Sequence, residues 1–148
     1  MCRPGLRARL ADIAQGQLAE ISGLHGAALA EAATQPALHM ARLRAQLAEI
    51  VGAMPALPEE RIAQEIALLT TRSDVREELD RLSAHIAAAR ALLAEGANIG
   101  RKLDFLMQEF NREANTLCSK SASLALTATG LALKAVIEQL REQVQNIE

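Results

Sequence analysis

The amino-acid sequence predicts an all-α protein, a helical bundle with long, coiled-coil-like antiparallel helices. Ala, Leu, Glu and Arg dominate the 148 residues, whereas aromatic residues make up 1% and β-branched residues are scarce. Such a composition favours helices over strands. Apolar residues also recur three and four positions apart along most of the chain, as they do on the buried side of a helix. Long apolar seams joined by short loops are typical of helical bundles.

Length, charge and cysteine content limit the kind of protein this can be. The chain is as long as one ordinary domain and can bury a core. A net charge of -2 excludes a basic surface over the whole domain, so nucleic-acid contacts would depend on local arginines. Cys2 and Cys118 lie far apart and near no second metal-type ligand, which favours reduced thiols in a cytoplasmic protein. No apolar run approaches the roughly 18 residues of a membrane-spanning helix.

Residues 1–54 are predicted to form an N-terminal helical arm. A first helix is expected from Leu6 to about Ala33, and a second from Pro36 to Met54. The segment between them contains a proline and is either a break or a kink within one long helix. The first helix begins without a usual capping residue, which fits a chain that starts within a longer element.

Residues 55–148 are predicted to form a second helical domain. Pro55 to Pro58 is the clearest loop of the chain, and its last proline suits the first position of the next helix. Asp74 is followed three residues later by Glu77, the spacing of a capping box, so a new helix is expected to begin at Val75. One continuous helix through this segment is the alternative.

The last two helices follow a predicted helix end at Gly96, a residue that suits the C′ position. They are expected from Gly100 to about Lys120 and from Leu126 to Ile147, with Gly130 interrupting the last one. Several seam positions hold Ala, which buries little area. We therefore expect partner chains to complete the core of a homo-oligomer.

The stretch from Gly100 to Lys120 carries two stripes at helical spacing. One stripe is apolar. The other is polar and consists of three amide side chains, with a carboxylate at one end and a hydroxyl at the other. The polar stripe comprises Asp104, Gln108, Asn111, Asn115 and Ser119. Polar side chains of this kind are unfavourable in the middle of a helix unless they bind another group. The spacing leaves two interpretations open, hydrogen bonds to neighbouring helices or a site for a phosphate backbone or a hard metal ion.

Two acidic residues and one histidine are candidates for chemistry. Glu109 and Glu113 lie one helical turn apart and could share a divalent ion, or they could form an exposed like-charge pair. Asp104 does not lie on the same line of the helix as the two glutamates and would need a loop or a neighbouring helix to converge with them. His85 follows Arg81 by four residues and could serve as a general base, because imidazole titrates near neutral pH. Otherwise it is a surface histidine without a role.

Three segments of the chain carry a pattern that helices do not reach by chance. They read RSDVREELDRLSAH, DFLMQEFNREANTLCSK and IEQLREQVQNIE. In these segments the chain closely resembles the C-terminal region of the YicC/YloC family of bacterial proteins, from about Ile62 to Glu148. The resemblance implies a metal-dependent endoribonuclease that acts on single-stranded RNA as an oligomer. The separate N-terminal domain of that family has no counterpart in this sequence.

The resemblance also implies roles for individual residues. The catalytic residues would be Glu109, Glu113 and His85, and Asp104 would join the two glutamates in holding Mn²⁺ or Mg²⁺. The residues expected to contact RNA are Arg101, Lys102, Gln108, Asn111, Arg112, Asn115 and Lys120. The alternative interpretation is a non-catalytic helical module for oligomerisation and for binding RNA or protein. Ala125 and Ala132 stand where the family would lead us to expect Glu, and this departure favours the alternative.

Overall fold

The structure, a computed structural model, describes residues 4–53 and 59–147, most of which lie in helices. The six helices are α1 Pro4–Ala32, α2 Gln35–Ala53, α3 Glu59–Arg72, α4 Arg76–Glu95, α5 Gly100–Lys120 and α6 Leu124–Ile147. The described residues contain no strand, so the prediction of an all-α protein is confirmed. Cys2 and the predicted loop from Pro55 to Pro58 lie outside the described residues.

Four of the helices pack around one core. Helix α1 contacts α4 and α6, and α5 contacts the same two helices, so that each of the four has two neighbours. Short connections make α4, α5 and α6 successive antiparallel neighbours. The core consists of apolar side chains at helical spacing, among them Leu18, Leu82, Phe110 and Leu133. The predicted helical bundle is thus confirmed. None of the described helices has the length and apolar character needed to span a bilayer.

Helices α2 and α3 lie beside this four-helix core. They contact each other, α2 also contacts α1, and α3 contains no buried residue. The start of α2 is fixed to the turn between α5 and α6. There the buried Gln35 side chain donates to Ser123 Oγ at 3.1 Å and accepts from the Ala122 N–H at 2.7 Å. These hydrogen bonds place the α2–α3 pair next to the C-terminal end of α5.

The helix boundaries follow local sequence signals. The predicted stop at Gly96 is confirmed, because this residue adopts a left-handed conformation with φ of 74° and its N–H donates to the Leu92 carbonyl. Helix α4 begins at Arg76, one residue later than predicted, and the alternative of a continuous helix is wrong. The Asp74 carboxylate accepts the Arg76 N–H at 2.9 Å, a local turn that competes with helix continuation.

The first break in the chain is also a true helix boundary. Helix α1 ends at Ala32 and α2 begins at Gln35. Thr34 donates both its backbone N–H, at 3.1 Å, and its hydroxyl, at 2.8 Å, to the Glu31 carbonyl, one of the acceptors at the end of α1 that the regular helical hydrogen bonds leave free. Of the two interpretations left open by the sequence, the break is therefore correct and the single kinked helix is not.

Gly130 does not interrupt the last helix, contrary to the prediction. Helix α6 runs without a break from Leu124 to Ile147, and Gly130 is buried within it. A methyl group at this position would lie 2.5 Å from Cys118 Sγ on α5. The absence of a side chain therefore allows α5 and α6 to approach closely, at a helix-propensity cost of about 1 kcal/mol.

Gly130→Ala is expected to lower the free energy of unfolding by about 1 kcal/mol. Overpacking against Cys118 costs about 1–3 kcal/mol, which outweighs the gain of about 1 kcal/mol in helix propensity. In a Cys118→Ala background the obstructing sulfur is gone, and the same change should instead stabilise the protein. Denaturant unfolding of the four variants measures this coupling. Equal effects of Gly130→Ala in both backgrounds would contradict the close contact.

Candidate metal centre between helices α4 and α5

A row of charged side chains follows the contact between α4 and α5. The row contains Glu78, Arg81 and His85 from α4, and Glu109, Glu113 and Lys120 from α5. Members of the row lie three, four or seven residues apart on their helix, so each set occupies one side of it. The antiparallel arrangement of the two helices then brings acids of one set against bases of the other.

His85, Glu109 and Glu113 converge at one end of the row and are called the trio below. One ring nitrogen of His85 and one carboxylate oxygen from each glutamate all lie within 4.8 Å of one another. Glu113 is buried, whereas His85 and Glu109 are partly exposed, so the trio can be reached from solvent. The buried Phe110 ring packs edge-on against the imidazole, with centroids 5.9 Å apart and an interplanar angle of 64°, and so restricts its orientation.

Arg81 lies next to the trio and binds its buried carboxylate. Its Nε donates to Glu113 Oε1 at 2.9 Å, and its terminal nitrogens lie 3.4 Å from Glu77 and 3.5 Å from Glu78. The hydrogen bond to Glu113 raises the pKa of the Arg81 guanidinium above its already high ordinary value. Arg81 therefore carries a full positive charge beside the trio at every pH at which the protein is folded.

Lys120 occupies the other end of the row. Its Nζ lies 2.8 Å from Glu78 Oε1 and 3.2 Å from the Asp74 carbonyl oxygen. The amine thereby joins the C-terminal end of α5 to the first turn of α4. Lys120 also compensates the partial negative charge at the end of its own helix.

The two buried carboxylates, those of Glu78 and Glu113, are energetically unfavourable in a contact between helices. Glu78 is 3% exposed and Glu113 is 4% exposed, and removing a carboxylate from water costs several kcal/mol unless partners compensate. Well-packed apolar residues usually stabilise such a position at least as well as an ion pair does. Two of the buried polar atoms, Glu78 Oε2 and His85 Nε2, have no hydrogen-bond partner among the described residues. Buried charges of this kind are concentrated at functional sites.

The predicted third metal ligand, Asp104, does not lie with the trio. Its carboxylate is 3.9 Å from Arg141 Nε on α6. Nine residues separate Asp104 from Glu113, which at about 100° per residue turns its side chain to the opposite side of α5. The structure therefore brings His85 to the two glutamates and leaves Asp104 outside.

The residues predicted to contact RNA are spread over several sides of α5. All except Lys120 are exposed, namely Arg101, Lys102, Gln108, Asn111, Arg112 and Asn115. Lys102 lies on the same side of the helix as the trio, because it precedes Glu109 by seven residues. The exposed amide side chains of Gln108, Asn111 and Asn115 lie on other sides of the helix, where neighbouring helices do not bury them. RNA contact at these positions stays a prediction.

Glu78 and Arg81 belong to the site although the sequence analysis did not assign them to it. The signal was their spacing, since Glu78, Arg81 and His85 follow one another at intervals of three and four residues. That spacing places the two charged residues on one side of α4 with His85. The second signal was that the acidic Glu78 directly precedes Leu79, which belongs to the buried apolar seam.

Comparison with known proteins identifies the family of the chain. The family model described as "Endoribonuclease YicC-like, C-terminal" matches residues 29–148. The chain belongs to this family. The resemblance found in the three sequence segments is thereby confirmed, and the match also takes in the end of α1 and both α2 and α3.

Two relatives carry the same printed name, "Probable endoribonuclease YicC". The relative from Haemophilus influenzae is 53% identical over 92 residues, which cover 62% of this chain and 32% of the relative. The relative from Clostridioides difficile is 38% identical over 107 residues, which cover 72% of this chain and 36% of the relative. The chain thus spans about a third of the length of the curated relatives it matches.

Proposed function

We propose that this chain is the helical C-terminal part of an endoribonuclease that cleaves single-stranded RNA with the help of a divalent cation. The observation that carries the proposal is the convergence of His85, Glu109 and Glu113 within 4.8 Å. The names of both relatives support RNA as the substrate. The trio lies in the part of the chain that the family model matches.

The chemistry of the trio fits a divalent transition-metal ion. One imidazole nitrogen and two carboxylate oxygens suit Mn²⁺, whereas Mg²⁺ prefers oxygen ligands alone. The buried His85 Nε2 is unpaired among the described residues, and Arg81 contacts only one of the two oxygens of Glu113. A bound cation would act as a Lewis acid that polarises the phosphodiester group. We favour Mn²⁺ over Mg²⁺ for this reason.

Arg81 and Lys120 supply positive charge along the path of the substrate. The Arg81 side chain is 48% exposed, so its guanidinium can bind Glu113 on one side and a phosphate oxygen on the other. Arginine donors held in this way stabilise the negative charge that builds up on phosphate oxygens during cleavage. Arg81 is therefore assigned to the scissile phosphate.

His85 is assigned to the cation in this proposal. The sequence led to the prediction of a general base at this position, but a nitrogen that ligates a cation cannot accept a proton at the same time. The proximity of Glu109 and Glu113 favours ligation, because two carboxylates attract a cation to the place where the imidazole nitrogen lies. Glu109 is partly exposed and forms no ion pair with any residue that the structure describes.

The proposal predicts metal-dependent cleavage by the purified chain. Labelled single-stranded RNA should yield shorter products with Mn²⁺, fewer with Mg²⁺ and none with EDTA. A gel shift without products would contradict the proposal and favour the non-catalytic binding module. A chain that gives neither shift nor products would be a purely structural bundle.

A further inference from the structure

A positively charged surface lies where α2 and α3 meet the C-terminal end of α5. It is a cavity of about 370 Å³, called the α2–α3 groove below. Its charged and polar walls include Arg42 and His39 from α2, Arg72 from α3, and Ser119, Lys120 and Ser121 from the end of α5. Among the residues that the structure describes, no aspartate or glutamate lines it. This is a local excess of positive charge in a chain whose net charge is -2.

The balance of charges in the groove favours an anion. Arg42 and Arg72 contribute two positive charges that no carboxylate of the described residues pairs, whereas the charge of Lys120 is compensated by Glu78. The C-terminal ends of α3 and α5 oppose them with roughly half a negative charge each, which leaves the groove positive. Both arginines are exposed, and neither forms an ion pair with a residue that the structure describes. Their guanidinium groups are therefore available for bidentate contacts with a phosphate.

The groove is continuous with the row of charged residues between α4 and α5. Lys120 belongs to both, because its Nζ contacts Glu78 while its carbonyl oxygen lies 3.2 Å from His39 Nε2. Lys120 follows Glu113 by seven residues, which is about 10 Å along α5. A nucleic-acid strand that passes the trio can therefore reach the groove within a few nucleotides.

We propose that the α2–α3 groove binds the backbone phosphates of the RNA strand on one side of the bond that is cut. Helices α2 and α3 would then serve as an arm that holds the substrate against the four-helix core. The inference rests on the proposed function, because it takes single-stranded RNA as the ligand. Arginine side chains that have no Phe, Tyr or Trp ring beside them bind the RNA backbone rather than the bases. The contact would therefore not depend on the RNA sequence.

The test is RNA binding in EDTA by the Arg42→Gln/Arg72→Gln double variant, measured over a series of salt concentrations. We expect at least a tenfold loss of affinity at low salt. The slope of log affinity against log salt should become shallower by about 1.4, because each lost phosphate contact removes about 0.7 for a single strand. The matched control is Arg44→Gln/Arg90→Gln, which removes two exposed arginines, one from α2 and one from α4, that do not line the groove. It should change neither quantity by as much, and circular dichroism should show equal helicity in all three proteins.

The outcomes separate this inference from the proposed function. An unchanged slope and affinity in Arg42→Gln/Arg72→Gln, or an equal loss in Arg44→Gln/Arg90→Gln, would overturn the groove while leaving cleavage by the trio intact. The expected loss of binding together with a wild-type chain that does not cleave would uphold the groove and overturn the catalytic proposal. A wild-type chain that binds no RNA would overturn both.

Discussion

Replacing Glu113 by glutamine is expected to reduce metal-dependent RNA cleavage at least 100-fold, which corresponds to about 2.7 kcal/mol of transition-state stabilisation. The substitution removes the buried negative charge of the trio but keeps its shape. The amide oxygen can still accept the hydrogen bond that Arg81 donates to Glu113 at 2.9 Å. The fold should therefore persist, and the loss should lie in the binding of the cation. Cleavage rates with saturating enzyme and added Mn²⁺ measure the effect.

The matched control is Glu142→Gln, which removes an exposed carboxylate from α6. It changes the net charge by the same amount, so it should cleave RNA at the wild-type rate. Circular dichroism should show the same helicity in both variants. Wild-type cleavage by Glu113→Gln would exclude Glu113 from the catalytic machinery, whatever the geometry of the trio.

Phe110→Ala is expected to have the largest effect on stability, a loss of about 3–5 kcal/mol in the free energy of unfolding. The Phe110 side chain is 0% exposed and is the largest among the fully buried residues. Its removal leaves a cavity between the helices of the core. For a chain of this length the loss corresponds to a melting temperature lower by about 10 °C, which thermal unfolding measures.

The sequence provides its own control, because Phe105 is the only other aromatic ring of the Phe, Trp and Tyr class and is 64% exposed. Phe105→Ala should change the free energy of unfolding by less than about 0.5 kcal/mol. Equal losses in the two variants would contradict the orientation of α5. Phe110→Ala should also weaken cation binding below its melting temperature, because the ring contact that restricts His85 is lost.

The fold class and most helix ends could be predicted because they depend on local signals. Gly96 ends α4 through a left-handed conformation that costs glycine little, and Asp74 separates α3 from α4 through a hydrogen bond two residues along the chain. The effect of Gly130 could not be predicted in this way. By helix propensity alone a glycine destabilises a helix, whereas here the missing side chain leaves room for Cys118 on another helix.

The candidate site was predictable only where its residues share one helix. Glu109 and Glu113 are neighbours on any α-helix, so their spacing was enough. The approach of His85 depends on the antiparallel pairing of α4 with α5, and the contact of Asp104 with Arg141 depends on where α6 packs. Pairing of this kind is decided by the fit of whole helix surfaces, which the spacing of residues along one helix does not reveal.

The most direct test of the account is the binding of Mn²⁺ to the purified chain, followed by calorimetry or by the paramagnetic resonance signal of unbound Mn²⁺. We predict one ion per chain, with affinity at least tenfold lower in His85→Ala and in Glu109→Gln and unchanged in Glu142→Gln. The account would be contradicted if the wild-type chain bound no Mn²⁺, or if neither of the two substitutions in the trio lowered the affinity.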